Sequence, residues 1–396
     1  MVTNNEQNKL NVPHLRFPEF HGEWCVSTIG EQFDLYSGNT PSRLNKEHFE
    51  GNVNWITSGE LKEHYISDTK EKISEDAATA NNLKLLHPGT FVIAIYGLEA
   101  DGVRGTGSIT CKESTISQAC MAFTQKGDVK NEFLYSWYKK HGNIIGIKYA
   151  QGTKQQNLSY DILEKFHIAF PSQDEQDKLI KFISLLDERI ASQSKLIEKL
   201  ESLIKGIVDC TILRKEKNAI VGDVCSISEQ IRAEANIDDI ITVRLHGNGV
   251  CKSSAENLQL GATQYYRRRA GQLIYGKQNF HNGAIGIVPI SLDNGITSKD
   301  IPSFDIDEMK CNSVYLLAQL QSPQYYKPAE ALTTGTGSKR LKEETFLKLP
   351  IVLPNKREQD NIAVLIHRAS MNLDHAKRLL ELLSIQKQFL LRQMFI

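Results

Sequence analysis

The sequence predicts an α+β protein in which two mixed α/β domains are separated by two long antiparallel helices forming an intramolecular coiled coil. Three observations carry this expectation. Leu179, Ile183, Leu186, Ile190, Gln193, Ile197, Leu200, Ile204 and Ile207 step 4-3-4-3 without a break, the period of a seam between packed helices. Ile362, Ile366, Ala369, Leu373, Ala376, Leu380, Leu383, Lys387 and Leu390 repeat that phase 183 positions on. The same register extends upstream, where Gly152-Thr153, Leu158, Asp161 and Phe166-x-Ile168-x-x-Pro171 fall on Gly335-Thr336, Leu341, Glu344 and Leu349-x-Ile351-x-x-Pro354. The chain is therefore read as a tandem duplication of a domain followed by a helix. The expected boundaries are a first domain at 1–171, a central spacer helix at 172–215, a second domain at 216–354 and a second spacer helix at 355–396.

In chain order, a proline-punctuated lead-in, Val12 to Trp24, precedes the element start Ser27-Thr28-Ile29-Gly30-Glu31. Alternation and β-branched content predict strands over 53–57, 90–96 and 116–124, and helices over 76–82 and 131–141. Gly97, Gly102, Gly105 and Gly107, with Arg104 among them, mark a loop, because so many glycines disfavour both regular structures. Pro171-Ser172-Gln173-Asp174-Glu175 and Pro354-Asn355-Lys356-Arg357-Glu358 open the two helices alike, each with a capping side chain and a glutamate three residues later. Roughly 40 residues at about 1.5 Å each make a rod of about 60 Å, which needs a partner to cover its apolar stripe. The second domain restarts with Val221-Gly222-Asp223, an echo of Ile29-Gly30-Glu31, and continues with strands over 240–246, 271–275 and 284–290 and a helix over 307–321. The loops between matched elements differ almost completely, as expected of two sites doing one job on different targets.

Composition excludes little. The 396 residues hold 47 basic against 47 acidic side chains, so bulk charge gives no sign of a nucleic-acid partner. Seven cysteines, none within four residues of another, make neither a disulfide framework nor a zinc pattern. The polar start and the strand-length apolar run Phe91 to Tyr96 lead to the expectation of a reduced, soluble, cytoplasmic protein.

The lead-in Leu15-Arg16-Phe17-Pro18-Glu19-Phe20-x-Gly22-Glu23-Trp24, the Pro-x-x-x-Glu-Gln helix openings, the Gly-Thr-x-x-x-x-Leu segments before them and the closing Leu390-Leu391-Arg392-Gln393-Met394-Phe395-Ile396 together resemble the specificity subunit of type I restriction-modification systems. The resemblance covers the whole chain in order. It implies two target-recognition domains, each reading one half of a bipartite double-stranded DNA sequence, and two antiparallel helices acting as a spacer. It also implies assembly with two methylation subunits and two restriction subunits. No cofactor is then expected in this chain, since S-adenosylmethionine, ATP and Mg would belong to those partners.

Candidate DNA contacts follow from residue type. Ser58-Gly59-Glu60 delivers small polar groups and a carboxylate at a strand end, suited to phosphate or to cytosine N4, although an ordinary turn fits equally well. Gly152-Thr153-Lys154-Gln155-Gln156-Asn157 offers amides for the adenine N6/N7 edge and a lysine for phosphate or guanine. Its repeat places Thr336, Ser338, Lys339 and Arg340 there instead. Tyr266, Arg267 and Arg268, the cluster Lys277, Gln278, Asn279 and His281, and Arg104 in the glycine loop complete the set, against the alternative of solvated basic faces. Catalysis is not expected. No Asn-Pro-Pro-aromatic or Asp-Pro-Pro-Tyr stretch exists for amino-methyl transfer, and Gly335-Thr336-Gly337-Ser338-Lys339 lacks P-loop spacing. The histidines have no ligand spacing, so no metal site is expected. The alternative from another class is a coiled-coil scaffold whose two domains bind proteins, because isoleucine at one seam position and leucine at the other suits parallel dimers.

Overall fold

The computed structural model describes residues 11–100, 102–152, 156–253, 263–335 and 339–396. They form two compact units. The first is built from residues up to Ser192 together with Leu380–Ile396, and the second is Gln193–Leu379. Each unit thus combines one globular domain with part of both long helices. The first long helix, Gln173–Val208, runs on into a wide π turn, Asp209–Leu213, and the second is Lys356–Met394. Within the first unit, Leu179 and Ile183 near the start of one helix share a core with Leu390, Leu391 and Met394 near the end of the other. Within the second unit, Val208 and Ile212 join Ile362 and Ile366. The helices therefore run antiparallel inside each unit, as the duplication requires.

Burial follows the heptad phase. Ile183, Ile366 and Ala376 are buried, and Leu186, Ile190, Ile197, Leu373 and Leu380 are half-buried. Gln193 Nε2 donates to the carbonyl of Ala376 at 3.1 Å, the small alanine leaving space for the amide. That carbonyl lies inside a helix and has its own helical donor. Gln193→Leu is therefore expected to change stability by no more than about 1 kcal/mol, in either direction. A loss of several kcal/mol in denaturant melts at unchanged slope would show that the bond is needed.

The helix openings are only half capping boxes. Ser172 Oγ accepts from Glu175 N at 3.5 Å, and Asn355 Oδ1 from Glu358 N at 3.0 Å. The glutamates do not reach back. Glu175 accepts a two-pronged pair from Arg16 Nε and Nη2 at 2.8 and 2.7 Å, and Glu358 pairs with Lys215. The next residue does more of the fastening. Gln176, fully buried, donates to Asp128 O and Pro171 O and accepts from Lys130 N. Gln359, 183 positions on, donates to Lys310 O and Pro354 O and accepts from Asn312 N. Each glutamine satisfies backbone groups of the loop preceding one helix of its domain, Asn131–Tyr149 in the first unit and Ser313–Leu320 in the second, so each globular domain is tied to the opening turn of its own rod.

In the first unit a five-stranded sheet runs in the order Phe33–Ser37, Cys120–Gln125, Phe91–Ala94, Gly107–Thr110, Tyr65–Ile66, antiparallel except for the last pair. A three-stranded sheet, Lys72–Ile73, Val53–Ile56 and Ser114–Ile116, carries a separate small core of Trp55, Ile73 and Ala77. The expected strand over 116–124 is broken in two by a tight turn, in which Cys120 N donates to Ser117 O at 3.0 Å. The helix Asn131–Tyr149 runs further than expected. In the second unit a four-stranded antiparallel sheet joins Cys225–Ile227, Ser303–Ile306, Leu273–Tyr275 and Ile285–Ile287. A three-stranded sheet joins Arg232–Ala233, Tyr265–Arg267 and Ile296–Ser298. The helix expected over 307–321 is shortened to Ser313–Leu320, capped by Asn312. The echoed glycines have one reason. A Cβ on Gly30 would lie 3.1 Å from Glu164 O, and one on Gly222 would lie 3.2 Å from Leu347 O, the two carbonyls belonging to residues 183 apart.

Candidate nucleic-acid interface

The two Gly-Thr loops are closed by the same backbone device. Gln151 and Asn157 exchange both backbone hydrogen bonds at 2.9 Å, and Thr334 and Arg340, each 183 positions later, do so at 3.0 and 2.9 Å. Gly152 and Gly335 take φ values of 110° and 131°, open only to glycine without strain, and this turns the chain out of each bridge. Behind the bridge, Leu158 N donates to Ile95 O at 2.9 Å and Leu341 N to Lys277 O at 2.8 Å. Each loop is thereby fixed beside the loop that follows a central strand. Thr153, Lys154, Gln155, Thr336 and Ser338 lie outside the described residues.

In the first unit this brings together three of the expected groups. Arg104 Nη2 donates to Gln156 Oε1 at 2.8 Å, Gln156 N donates to Glu99 Oε2 at 2.8 Å, and Leu98 N donates to Gln156 O at 3.1 Å. Asn157 sits at a cleft of about 480 Å³ shared with Tyr96, Gly152 and Tyr160. Its Oδ1 is buried without a hydrogen-bond partner among the described residues. Tyr96 and Tyr160 are exposed at the rim, and residue type alone did not single them out; Tyr160 follows the Gly152 loop closely in sequence, which was the available signal, while Tyr96 reaches it only through a backbone bridge to Asn157. Ser58-Gly59-Glu60 stands apart as a structural turn. Glu60 accepts from Thr57 N and Thr57 Oγ1 at 2.9 and 2.7 Å and from Lys70 N at 2.7 Å.

In the second unit Lys277 packs against Glu343 at 2.7 Å with its side chain only 12 % exposed. Arg340 reaches Asp300 at 3.4 Å, and Lys339 reaches Glu330 at 3.7 Å. Gln278 and Asn279 are exposed, and His281 is half-buried beside Asn282. Tyr266 is half-buried, while Arg267 and Arg269 face solvent. Arg268 is a correction to the expected contacts, being fully buried. Its Nε donates to Thr297 Oγ1 at 2.8 Å, Nη1 to Ser303 Oγ at 2.9 Å and Nη2 to Ile301 O at 3.0 Å. Burial pulls its pKa down to about 10. It holds strands together and does not face outward.

Among the described residues no cluster of His, Cys, Asp or Glu could hold a metal ion, and no helix is long and apolar enough to cross a membrane. The model of the type I restriction modification DNA specificity domain matches residues 21–202. The MjaIX specificity subunit of a type I restriction enzyme from Methanocaldococcus jannaschii is 28 % identical over 185 residues, 46 % of this chain and 42 % of that protein. The matched part thus spans less than half of that relative. The MjaVIII specificity subunit of the same organism is 20 % identical over 390 residues, 90 % of this chain and 88 % of its own. A crystal structure of the type I restriction-modification S subunit from M. genitalium shares the fold at a TM-score of 0.64, with 16 % identity, over 97 % of this chain and 99 % of that one. Residues 21–202 thus resemble a type I restriction modification DNA specificity domain, and the chain is similar over most of its length to a specificity subunit of a type I restriction enzyme and shares the S-subunit fold.

Proposed function

We propose that this chain is the DNA sequence-recognition subunit of a type I restriction-modification complex, each globular domain reading one half of a bipartite, asymmetric target. The observation that carries the proposal is the twin loop frame, with the same bridge, the same left-handed glycine and the same backing hydrogen bond in both units, set with Gln156 and Asn157 in one and Lys339 and Arg340 in the other. A repeated frame with unlike side chains is what two readers of unlike half-sites need. Amides suit the adenine edge, while arginine and lysine suit guanine or phosphate. Arg104 joins the first reader, and Arg267, Gln278, Asn279 and the partly covered Tyr266, Lys277 and His281 the second. The chain supplies recognition and no chemistry. Methylation and restriction subunits, two of each in the full complex, dock on it and bring S-adenosylmethionine, ATP and Mg, in the cytoplasm. The scaffold alternative is not favoured by the likenesses to specificity subunits.

Exchanging Asp223 to Leu349 for the equivalent segment of a relative is the test, read by sequencing methylated adenines in cells carrying the complex. One half of the methylated sequence should change while the other stays. A change in both halves would mean that the domains do not read independently.

A further inference from the structure

The first unit contains a half-buried charged cluster that DNA reading does not use. His64 precedes the strand Tyr65–Ile66, and its ring lies face to face between Tyr65 and Tyr135, with centroids 4.1 and 4.0 Å away and interplanar angles of 9° and 1°. Its Nε2 is 2.8 Å from Glu132 Oε2, on the helix Asn131–Tyr149. Its Nδ1 is 3.3 Å from Asp187 Oδ2, on the first long helix, and Asp187 also pairs with Lys387 of the second. The Nε2 contact is a hydrogen bond and the Nδ1 contact an ion-pair approach; a neutral imidazole has one N–H and one lone pair and would turn the lone pair on one of these carboxylates, whereas the imidazolium presents a positive N–H to both. Two aromatic faces against the ring favour a cation further. Lys139, near the Tyr135 ring, together with Glu63 and Cys111, makes up the remaining titratable surroundings.

The duplication supplies an internal control. The repeat position of Asp187 is Ser370, that of Lys387 is Ile204, and the second residue of the matching helix, Glu132 in one unit, is Val314 in the other. In the second unit His246 lines a groove of about 410 Å³ with Ile204, Ser370 and Leu373; Glu201, Lys205 and Asp209 also line it, but Glu201 pairs with Lys377 and Asp209 with Arg214, and no ion pair joins His246 to either among the described residues. We infer that His64 is a positively charged pin that locks the first globular domain onto its part of the helix pair, and that the second unit has no such pin.

Burial works against the charged ring, but Asp187 and Glu132 outweigh it and hold the His64 pKa above its ordinary value. The same partners, His64 and Lys387, hold Asp187 low against its own burial. A group whose folded-state pKa is raised contributes stability in full below its unfolded value, about 6.5 for histidine, and loses it as pH rises through the raised value. His141, also in this unit, is held low by burial and titrates below that window.

The experiment is amide hydrogen exchange on the full chain from pH 6 to 9, corrected for the intrinsic pH dependence, with His64→Gln and His64→Arg alongside. Wild-type protection around Asp187 and Lys387 is expected to fall severalfold across the window, while the helix segments around Ile204 and Ser370 keep theirs. His64→Gln should show the low protection at every pH. His64→Arg, planar and always charged, should remove the pH dependence and keep the protection. Wild-type protection independent of pH, equal losses in both units, or a glutamine variant matching wild type would overturn the pin. If the arginine variant fails to fold, the wild-type profile decides alone. No DNA enters the measurement, so its failure leaves the recognition proposal untouched, and the reverse.

Discussion

Replacing Arg268 with alanine is expected to destabilise the second unit by about 3–5 kcal/mol, a larger loss than either exposed neighbour can produce. The guanidinium is fully buried and makes no ion pair with a carboxylate among the described residues, and its charge is tolerated because hydroxyls of Thr297 and Ser303 and the carbonyl of Ile301 receive its N–H groups. Truncation removes that cross-link between the neighbouring strands and leaves a cavity the size of a long side chain. Arg267→Ala and Arg269→Ala, both at exposed positions, should stay within about 0.5 kcal/mol. Chemical denaturation of the three variants decides the matter: a loss under about 1 kcal/mol for Arg268→Ala would return that residue to the surface. Any loss of recognition in this variant should track unfolding, whereas Arg267→Ala should weaken DNA binding at unchanged stability.

The second large effect concerns the helices as a ruler. One heptad inserted between Ile197 and Ile204 keeps the seam in phase and lengthens that helix by about 10.5 Å, close to three base pairs at about 3.4 Å each. Gln193 meets Ala376 and Glu201 meets Lys377, so the matching insertion belongs between Leu373 and Leu380. The doubly lengthened protein should keep both half-sequences and add about three unread base pairs between them. Mapping of methylated adenines checks it. An active enzyme with an unaltered spacer would make the helices a mere tether.

The seam was legible because one phase persists through nine positions of each helix, and burial follows it. The loop frame was half legible: the paired Gly-Thr and leucine marks located it, while the backbone bridges that close it depend on no side chain. The run Tyr265 to Arg269 misled because its basic residues do not share one environment: Arg267 and Arg269 are exposed, while Arg268, just past the strand Tyr265–Arg267, is buried. One arginine had to point inward, and the hydroxyls that receive it come from strands about thirty residues away. Glu175 looked like a capping residue, but Arg16, far upstream, holds it. His64, Glu132, Asp187 and Lys387 are scattered along the chain, and no local pattern announces their meeting.

The make-up of the first unit bears on how the protein comes into being. A ribosome delivers residues in order, yet this unit draws on Leu380–Ile396 as well as on everything up to Ser192. Leu179 and Ile183 must wait for Leu390, Leu391 and Met394 to share their core, a delay on the order of ten seconds or more at usual elongation rates. The second unit is one continuous stretch, all of it translated before Leu380–Ile396. The half translated first is thus the last to be completed, and during that interval its uncovered helix face is the surface most open to chaperones, proteases and aggregation.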